Sequence, residues 1–185
     1  MSQADLSEIQ RVRDEAELLH DAESVARAVD DMARRIALEL AHSNPLLICV
    51  LNGGLLLSAW LATRLDFPLQ LDYAHVSRYR GTTRGGELEW IAHPRMPLKD
   101  RTLLLVDDIF DEGVTLASLV DDCRARGARE VRTAVLVRKQ HERVATPLRP
   151  DFVGLTVPDR YVFGCGLDYR NYLRNLPAIY AVSGN

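Results

Sequence analysis

The sequence predicts an α/β fold, a mainly parallel twisted sheet flanked by helices. Three observations carry this expectation. Short apolar runs at residues 46–51 and 102–106 have the make-up of strands buried on both faces of a parallel sheet. Longer segments repeat their apolar residues at steps of three and four, the spacing of one helical face. The two kinds of segment alternate along the chain, which is the order that βαβ units produce.

Taken in order, the first twenty residues are polar. Val25, Val29, Met32, Ile36 and Leu40 then outline an amphipathic helix over residues 21–42. After Asn44-Pro45, residues 46–51 form a strand, Asn52-Gly53-Gly54 a tight turn and 55–65 a second helix. Residues 69–76 read as a strand that opens into the polar, basic, glycine-rich stretch 77–86, expected to be a mobile loop, and 87–92 return as the other arm of a hairpin. Pro94 and Pro97 break the chain before the strand 102–106, and a helix follows from Thr115. Residues 131–137 and 152–157 are further strands, joined through Pro147 and Pro150, and 179–182 are a short closing strand. No repeat, linker or low-complexity tract divides the chain, so one domain over 1–185 is expected.

Composition narrows the function classes. With 47% hydrophobic and 26% charged residues the chain has the balance of a globular protein rather than a disordered one. A net charge of −3 gives no basic footprint for nucleic acid. Cys49, Cys123 and Cys165 show no C-x-x-C and no zinc spacing. The opening MSQADLSEIQ lacks the basic start and apolar run of a secretory signal, and no run approaches the roughly 18 apolar residues of a membrane helix. The expectation is a cytoplasmic protein with no membrane and no nucleic-acid partner.

The chemistry concentrates in Leu103-Leu104-Leu105-Val106-Asp107-Asp108-Ile109-Phe110-Asp111-Glu112-Gly113-Val114-Thr115. An apolar strand delivers two acids, then a short loop with acid and glycine, then a threonine opening a helix. Ligands of open parallel sheets bind at the carboxyl ends of strands, and the amides of a helix's first turn suit a phosphate. The required G-K-[ST] of a Walker A loop is missing, as is G-x-G-x-x-G. Carboxylates pair well with vicinal hydroxyls, so a sugar phosphate fits acids followed by an anion cradle. The plain structural alternative keeps Asp107 and Asp108 as strand-end acids and Asp111 as a helix N-terminal charge.

This stretch resembles the phosphoribosyl pyrophosphate (PRPP) signature of type I phosphoribosyltransferases, and all its fixed positions are matched. Leu51-Asn52-Gly53-Gly54, the loop with Ser77 and Tyr79, Pro150-Asp151-Phe152-Val153-Gly154 and Leu167-Asp168-Tyr169 narrow the likeness to hypoxanthine-guanine phosphoribosyltransferases, over about residues 16–182. The resemblance implies a small hood formed by the N- and C-terminal segments beside the main sheet. It implies transfer of phosphoribose from PRPP to a 6-oxopurine base with Mg2+, in a homodimer or homotetramer. It places Asp107 and Asp108 on the ribose hydroxyls and Asp111, Glu112, Gly113, Val114 and Thr115 around the 5'-phosphate, with Asp111 as general base near N7. Lys139 falls where a lysine reaches the purine O6 and N7, Tyr161 where an aromatic stacks on the base, and Val162 where backbone meets its 2-position. Asn52, Gly53 and Arg174 fall at the pyrophosphate, and Asp107, Asp108 and Asp168 at the metal, Asp168 also bordering the purine. Ser77 and Tyr79 belong to a lid. Taken alone, Lys139 reads as a solvated lysine in a basic turn.

Two departures stand out. The family turn usually carries lysine or arginine where this chain has Asn52, and its lid has adjacent Ser-Tyr where Arg78 here intervenes. A xanthine-preferring enzyme is one alternative. A regulatory protein that reads nucleic acid through Arg138, Lys139, Arg143 and Arg149 is the other.

Overall fold

The computed structural model describes residues 5–78 and 88–184. In chain order the elements are α1 (Leu6–Glu15), β1 (Glu17–His20), α2 (Ala22–Leu40), β2 (Leu46–Leu51), α3 (Leu55–Ala62), β3 (Gln70–Arg78), β4 (Leu88–Ala92), β5 (Thr102–Phe110), α4 (Val114–Ala125), β6 (Glu130–Gln140), β7 (Phe152–Pro158), β8 (Val162–Phe163) and β9 (Ile179–Ala181).

The larger sheet has the order β4-β3-β2-β5-β6-β7. All its pairings are parallel except that of β4, which lies antiparallel on the edge beside β3. Helices α2 and α3 cover one face and α4 the other. Alternate residues of each strand feed the two cores, because successive side chains point to opposite faces. Leu47, Leu104, Ala134 and Leu136 pack with Met32, Ile36, Leu57 and Leu61, whereas Leu46, Ile48, Leu103 and Leu105 pack with Leu116, Leu119 and Cys123. Asp21 caps α2 by accepting from the Ser24 amide at 2.7 Å, and the buried row Val25, Val29, Met32, Ile36 and Leu40 is the one read from the sequence.

The chain passes from β2 to β3 on one side and returns to β5 on the other, so β2 and β5 flank the switch point of the sheet. A crevice at their carboxyl ends is the default ligand site of such a sheet.

A second, antiparallel sheet has the order β1-β9-β8. It is the expected hood, and Val162, Ile179 and Ala181 from it join the core cluster of Val106, Val137 and Val157. Helix α1 and strand β1 lie in the polar first twenty residues, where no element is expected. The apolar stripe of α1 is short, Leu6, Ile9 and Val12 in a polar stretch, and of these only Ile9 is buried. Asp5 caps this helix through the Ser7 amide at 3.0 Å.

Two strands run longer than their apolar cores. β5 continues to Phe110, with Asp107 opposite Val135, Ile109 opposite Val137 and Phe110 opposite Arg138, and β6 runs to Gln140. Asp107 and Asp108 therefore belong to a strand rather than following one, and Lys139 lies within β6, opposite Val157, rather than after it. The ladder is made by backbone groups, so it persists where side chains turn polar.

Candidate active site

The site forms where β2 and β5 end. The turn Asn52-Gly53-Gly54 lies against the acids of β5, and the peptide joining Leu51 to Asn52 is cis. A Cβ on Gly53 would lie 2.1 Å from Oδ2 of Asp108, so only glycine lets the turn meet that carboxylate. The Asp108 side chain is 13% exposed, and its amide donates to Oδ1 of Asp107 at 2.9 Å. Burial, reinforced by the neighbouring Asp108 charge, pushes the Asp107 carboxyl well above the usual carboxylate range. Burial also raises Asp108, against the opposing pull of Asp107 and of the Arg174 guanidinium. Two carboxylates held this close favour a cation or a hydroxyl donor beside them.

Beyond β5 the chain passes through Asp111 and Glu112 to Gly113, which caps α4 at φ 80° and ψ 0°. The first intrahelical acceptor is the Gly113 carbonyl, bonded by the Ala117 amide. A twelve-residue helix thus points its amino end into the crevice, with the positive end of its dipole.

Asp111 is gripped from both sides. Lys139 Nζ donates to its Oδ2 at 3.1 Å and His141 Nε2 lies 2.5 Å from its Oδ1. The carboxyl is partly desolvated, yet these two donors outweigh that and hold it below the usual carboxylate range. Lys139 is 14% exposed, which excludes the solvated lysine of a basic turn. His141 has no counterpart among the residues singled out in the sequence. The available signal is its spacing, two residues beyond Lys139 and so on the same side of an extended chain.

The hood contributes the remaining groups. Arg174 donates to Asp168 at 2.7 Å and to the Gly166 carbonyl at 2.5 Å, and it lies 3.7 Å from Asp108. One guanidinium thereby links hood and strand end. A cleft of about 400 Å³ opens beside it, lined by Asn52, Leu55, Leu56, Gly166, Asn171 and Arg174. Asp168 also accepts from the Asn171 amide at 2.7 Å. Tyr161 is 45% exposed and meets the edge of Tyr169 with ring centres 5.5 Å apart. Val162 is buried in β8, paired with Ala181.

The structure thus brings Asn52, Gly53, Asp107, Asp108, Asp168 and Arg174 to one crevice, and Asp111 and Lys139 to one ion pair. Tyr161 and Val162 stand in the neighbouring hood. Ser77 lies in β3 opposite Glu89, and Tyr79 falls outside the described residues, as does the rest of the expected lid from 80 to 86. Among the described residues no group of three or more His, Cys, Asp or Glu side chains is arranged to hold a metal ion by itself. None of the described helices is long and apolar enough to cross a membrane.

An acid-bearing strand and a helix amino end at the switch point of a parallel sheet, beneath a hood, form the arrangement that the likeness to phosphoribosyltransferases implies. Residues 15–170 match the phosphoribosyl transferase domain, and the chain belongs to that family, among its hypoxanthine-guanine members. It is 36% identical over 163 residues to the hypoxanthine-guanine phosphoribosyltransferase of Bacillus subtilis (strain 168), covering 88% of this chain and 90% of the relative. It is 34% identical over 172 residues to the hypoxanthine-guanine-xanthine phosphoribosyltransferase of Tritrichomonas foetus, covering 89% and 94%. A solved hypoxanthine phosphoribosyltransferase from Staphylococcus aureus superposes with a TM-score of 0.86 at 26% identity, over 92% of this chain and 93% of that one. The protein is an enzyme, a purine phosphoribosyltransferase.

Proposed function

We propose that the protein transfers the 5-phosphoribosyl group of PRPP to N9 of hypoxanthine or guanine, giving IMP or GMP and pyrophosphate. The observation that carries this reading is the placement of Asp111. It stands three residues after the paired acids and three before α4, with Lys139 on its carboxylate at 3.1 Å, so one residue joins the sugar-phosphate end of the site to the base end.

In this reading Asp107 and Asp108 accept from the ribose hydroxyls, and the backbone from Asp111 to Thr115 takes the 5'-phosphate, with the Thr115 hydroxyl adding a donor. The turn at Asn52 and Gly53 and the Arg174 guanidinium receive the pyrophosphate. Tyr161 stacks on the purine, the main chain at Val162 meets its 2-position, and Lys139 donates to O6, drawing electron density from the ring. N9 attacks C1' as the bond to pyrophosphate breaks, and Asp111 accepts the N7 proton. Ser77 and Tyr79 belong to the lid that excludes water from the activated ribose.

Mg2+ fits the donors present. Asp107, Asp108 and Asp168 are hard oxygen ligands, and two of them are raised by crowding and burial that a cation relieves. Mg2+ characteristically binds one or two carboxylates together with substrate phosphates rather than a closed protein cage. When bound it supplies neutralisation of the charge that builds on the leaving pyrophosphate.

Of the four cations behind the nucleic-acid alternative, two are held in ion pairs and a third is bonded to neutral carbonyls. Lys139 is paired with Asp111, Arg143 with Asp159 at 2.7 and 2.8 Å, and Arg149 with the carbonyls of Thr146 and Leu148. The reading keeps small-molecule substrates, and with them the cytoplasmic location and the homodimer or homotetramer that the family likeness implies. The core shared between sheet and hood supports one domain over 1–185.

A panel of hypoxanthine, guanine, xanthine and adenine with PRPP and Mg2+ tests the proposal. Backbone acceptors near Val162 suit a 2-amino group and repel a 2-oxo group, and hypoxanthine has neither. An unmatched buried acceptor costs about 1–3 kcal/mol, so xanthine is expected to be roughly ten- to a hundredfold poorer in kcat/KM than guanine. Equal values would favour a xanthine enzyme, and no transfer to any base would overturn the reading.

A further inference from the structure

Of the two side chains bonded to Asp111, Lys139 and His141, His141 is the one that the reaction above does not use. Its side chain is 5% exposed, against 37% for Asp111, so the ring is fixed by its surroundings while the carboxylate borders the crevice. Nδ1 accepts the Arg143 backbone amide at 3.1 Å. With that nitrogen occupied as an acceptor, the hydrogen-bond network assigns the ring proton to Nε2, which donates to Asp111 Oδ1. The turn is itself fastened, because Arg143 makes a two-pronged pair with Asp159 beyond β7.

We infer that His141 is a positioning residue for Asp111: its Nε2–H holds Oδ1, leaving Oδ2 to face the purine. The inference rests on the phosphoribosyl-transfer reading. Oδ2 is bonded to Lys139, and when Lys139 donates to O6 the carboxylate loses that partner. A second, buried donor on Oδ1 keeps the carboxylate from rotating at that moment. The N7–H bond then breaks toward Oδ2 as N9–C1' forms and the bond from C1' to pyrophosphate breaks. The proton stays on Asp111 until it is lost to solvent, and His141 neither gains nor loses one.

The arrangement has a sign in pH. The ionisable groups facing Asp111 are Lys139 and His141 at the end of β6, Arg143 in the turn beyond it and Glu112 beside it, with Asp159 balancing Arg143. A donor on Oδ1 stabilises the ionised carboxylate. Its loss raises the pH below which Asp111 is protonated and unable to accept from N7.

The test compares His141→Ala with His141→Gln, whose amide retains an N–H donor. His141→Ala is expected to lower kcat roughly tenfold, within the about hundredfold that misplacing a catalytic group can cost, with PRPP KM within about twofold and the acid limb of the kcat profile moved to higher pH. His141→Gln is expected to restore most of kcat and return the limb. Wild-type kcat and limb in His141→Ala would overturn the inference. So would equal losses in both variants with no limb shift, the mark of a merely structural histidine. The 15N shifts of His141 in the wild-type protein give a readout independent of activity, and an Nδ1–H tautomer would also overturn it. Failure of the wild-type enzyme on all four bases would instead sink the functional reading.

Discussion

The carboxyl end of β5 and the hood both serve one crevice, yet they are assembled in opposite ways. At the strand end, Asp107, Asp108 and Asp111 lie within five residues on one strand and its loop, on a strand paired with β2 as far as Val106 and with β6 through Phe110. The hood joins residues 17–20 to 179–181 and these to 162–163, and its loop is irregular, with Cys165, Arg170, Asn171 and Leu173 at positive φ. That loop is closed by bonds such as Gly166 N to Arg174 O at 2.9 Å and Cys165 N to Leu176 O at 2.8 Å. The strand end should therefore respond to substitution mainly in chemistry, and the hood in geometry.

Asp111→Asn gives the sharpest contrast. It keeps the shape of the side chain and removes the base, so kcat is expected to fall by about 10²–10⁴ with PRPP binding nearly unchanged. Steady-state kinetics beside PRPP titration calorimetry measures both. Near-normal turnover would remove Asp111 from the chemistry and leave the strand end as scaffold.

The junction of the two regions comes next. Gly166 has φ 105°, and a Cβ there would lie 2.3 Å from the Gly53 carbonyl oxygen. A strained backbone of this kind costs about 1–3 kcal/mol, and about 2–4 °C of Tm accompanies each kcal/mol at this chain length. Gly166→Ala should thus lower Tm by several degrees and weaken PRPP through the displaced turn at Gly53. An unchanged Tm in calorimetry would show that hood and strand end do not touch there.

How legible each region is follows from the same contrast. The strands β2, β5, β6 and β7, the helix α2 and the acids of the PRPP loop lie in continuous stretches, where periodicity and motif act over a dozen residues or fewer. α1 and β1 were not legible, because Ile9 is the only buried residue of the helix and β1 is stabilised by a strand some 160 positions away, as Glu17 pairs with Ala181. Arg174 and Asp168 were placed only through family likeness, since nothing local marks them as partners. His141 is missed for a different reason: its spacing two residues beyond Lys139 gains meaning only once Lys139 is placed, and its role depends on a carboxylate thirty residues earlier.

The hood alone is probed at Glu8. This α1 residue accepts from the Tyr169 hydroxyl at 2.9 Å and from Arg170 at 2.7 Å, and Tyr169 in turn meets the edge of Tyr161. Glu8→Ala releases the support behind the stacking ring. Contacts of this exposure are worth about 1 kcal/mol or less, so the purine KM should rise up to about fivefold while PRPP KM stays put. A shift in PRPP KM instead would mean that α1 braces the whole crevice and that the two regions are not separable.

An effect of the same small scale is expected at Asn52, on the strand-end side, where the chain departs from the family turn. Asn52 lines the same cleft as Arg174, directly after the cis peptide and before the glycine that meets Asp108. In the proposed reading the turn grips pyrophosphate through its backbone, which does not depend on the side chain at 52. A lysine there would add a second cation to the one that Arg174 already supplies. Arg174 is shared among Asp168, Asp108 and the Gly166 carbonyl, so its charge toward a ligand is partly neutralised and an added cation is not redundant. The cleft is open to solvent, which limits an added charge contact to about 0.2–1 kcal/mol. Asn52→Lys should therefore lower PRPP KM by at most about fivefold, with kcat and the purine KM unchanged. Both Michaelis constants decide it: an effect confined to the purine would place Asn52 with the hood's ligand rather than with pyrophosphate, and the division between the two regions would have to be redrawn at the turn itself.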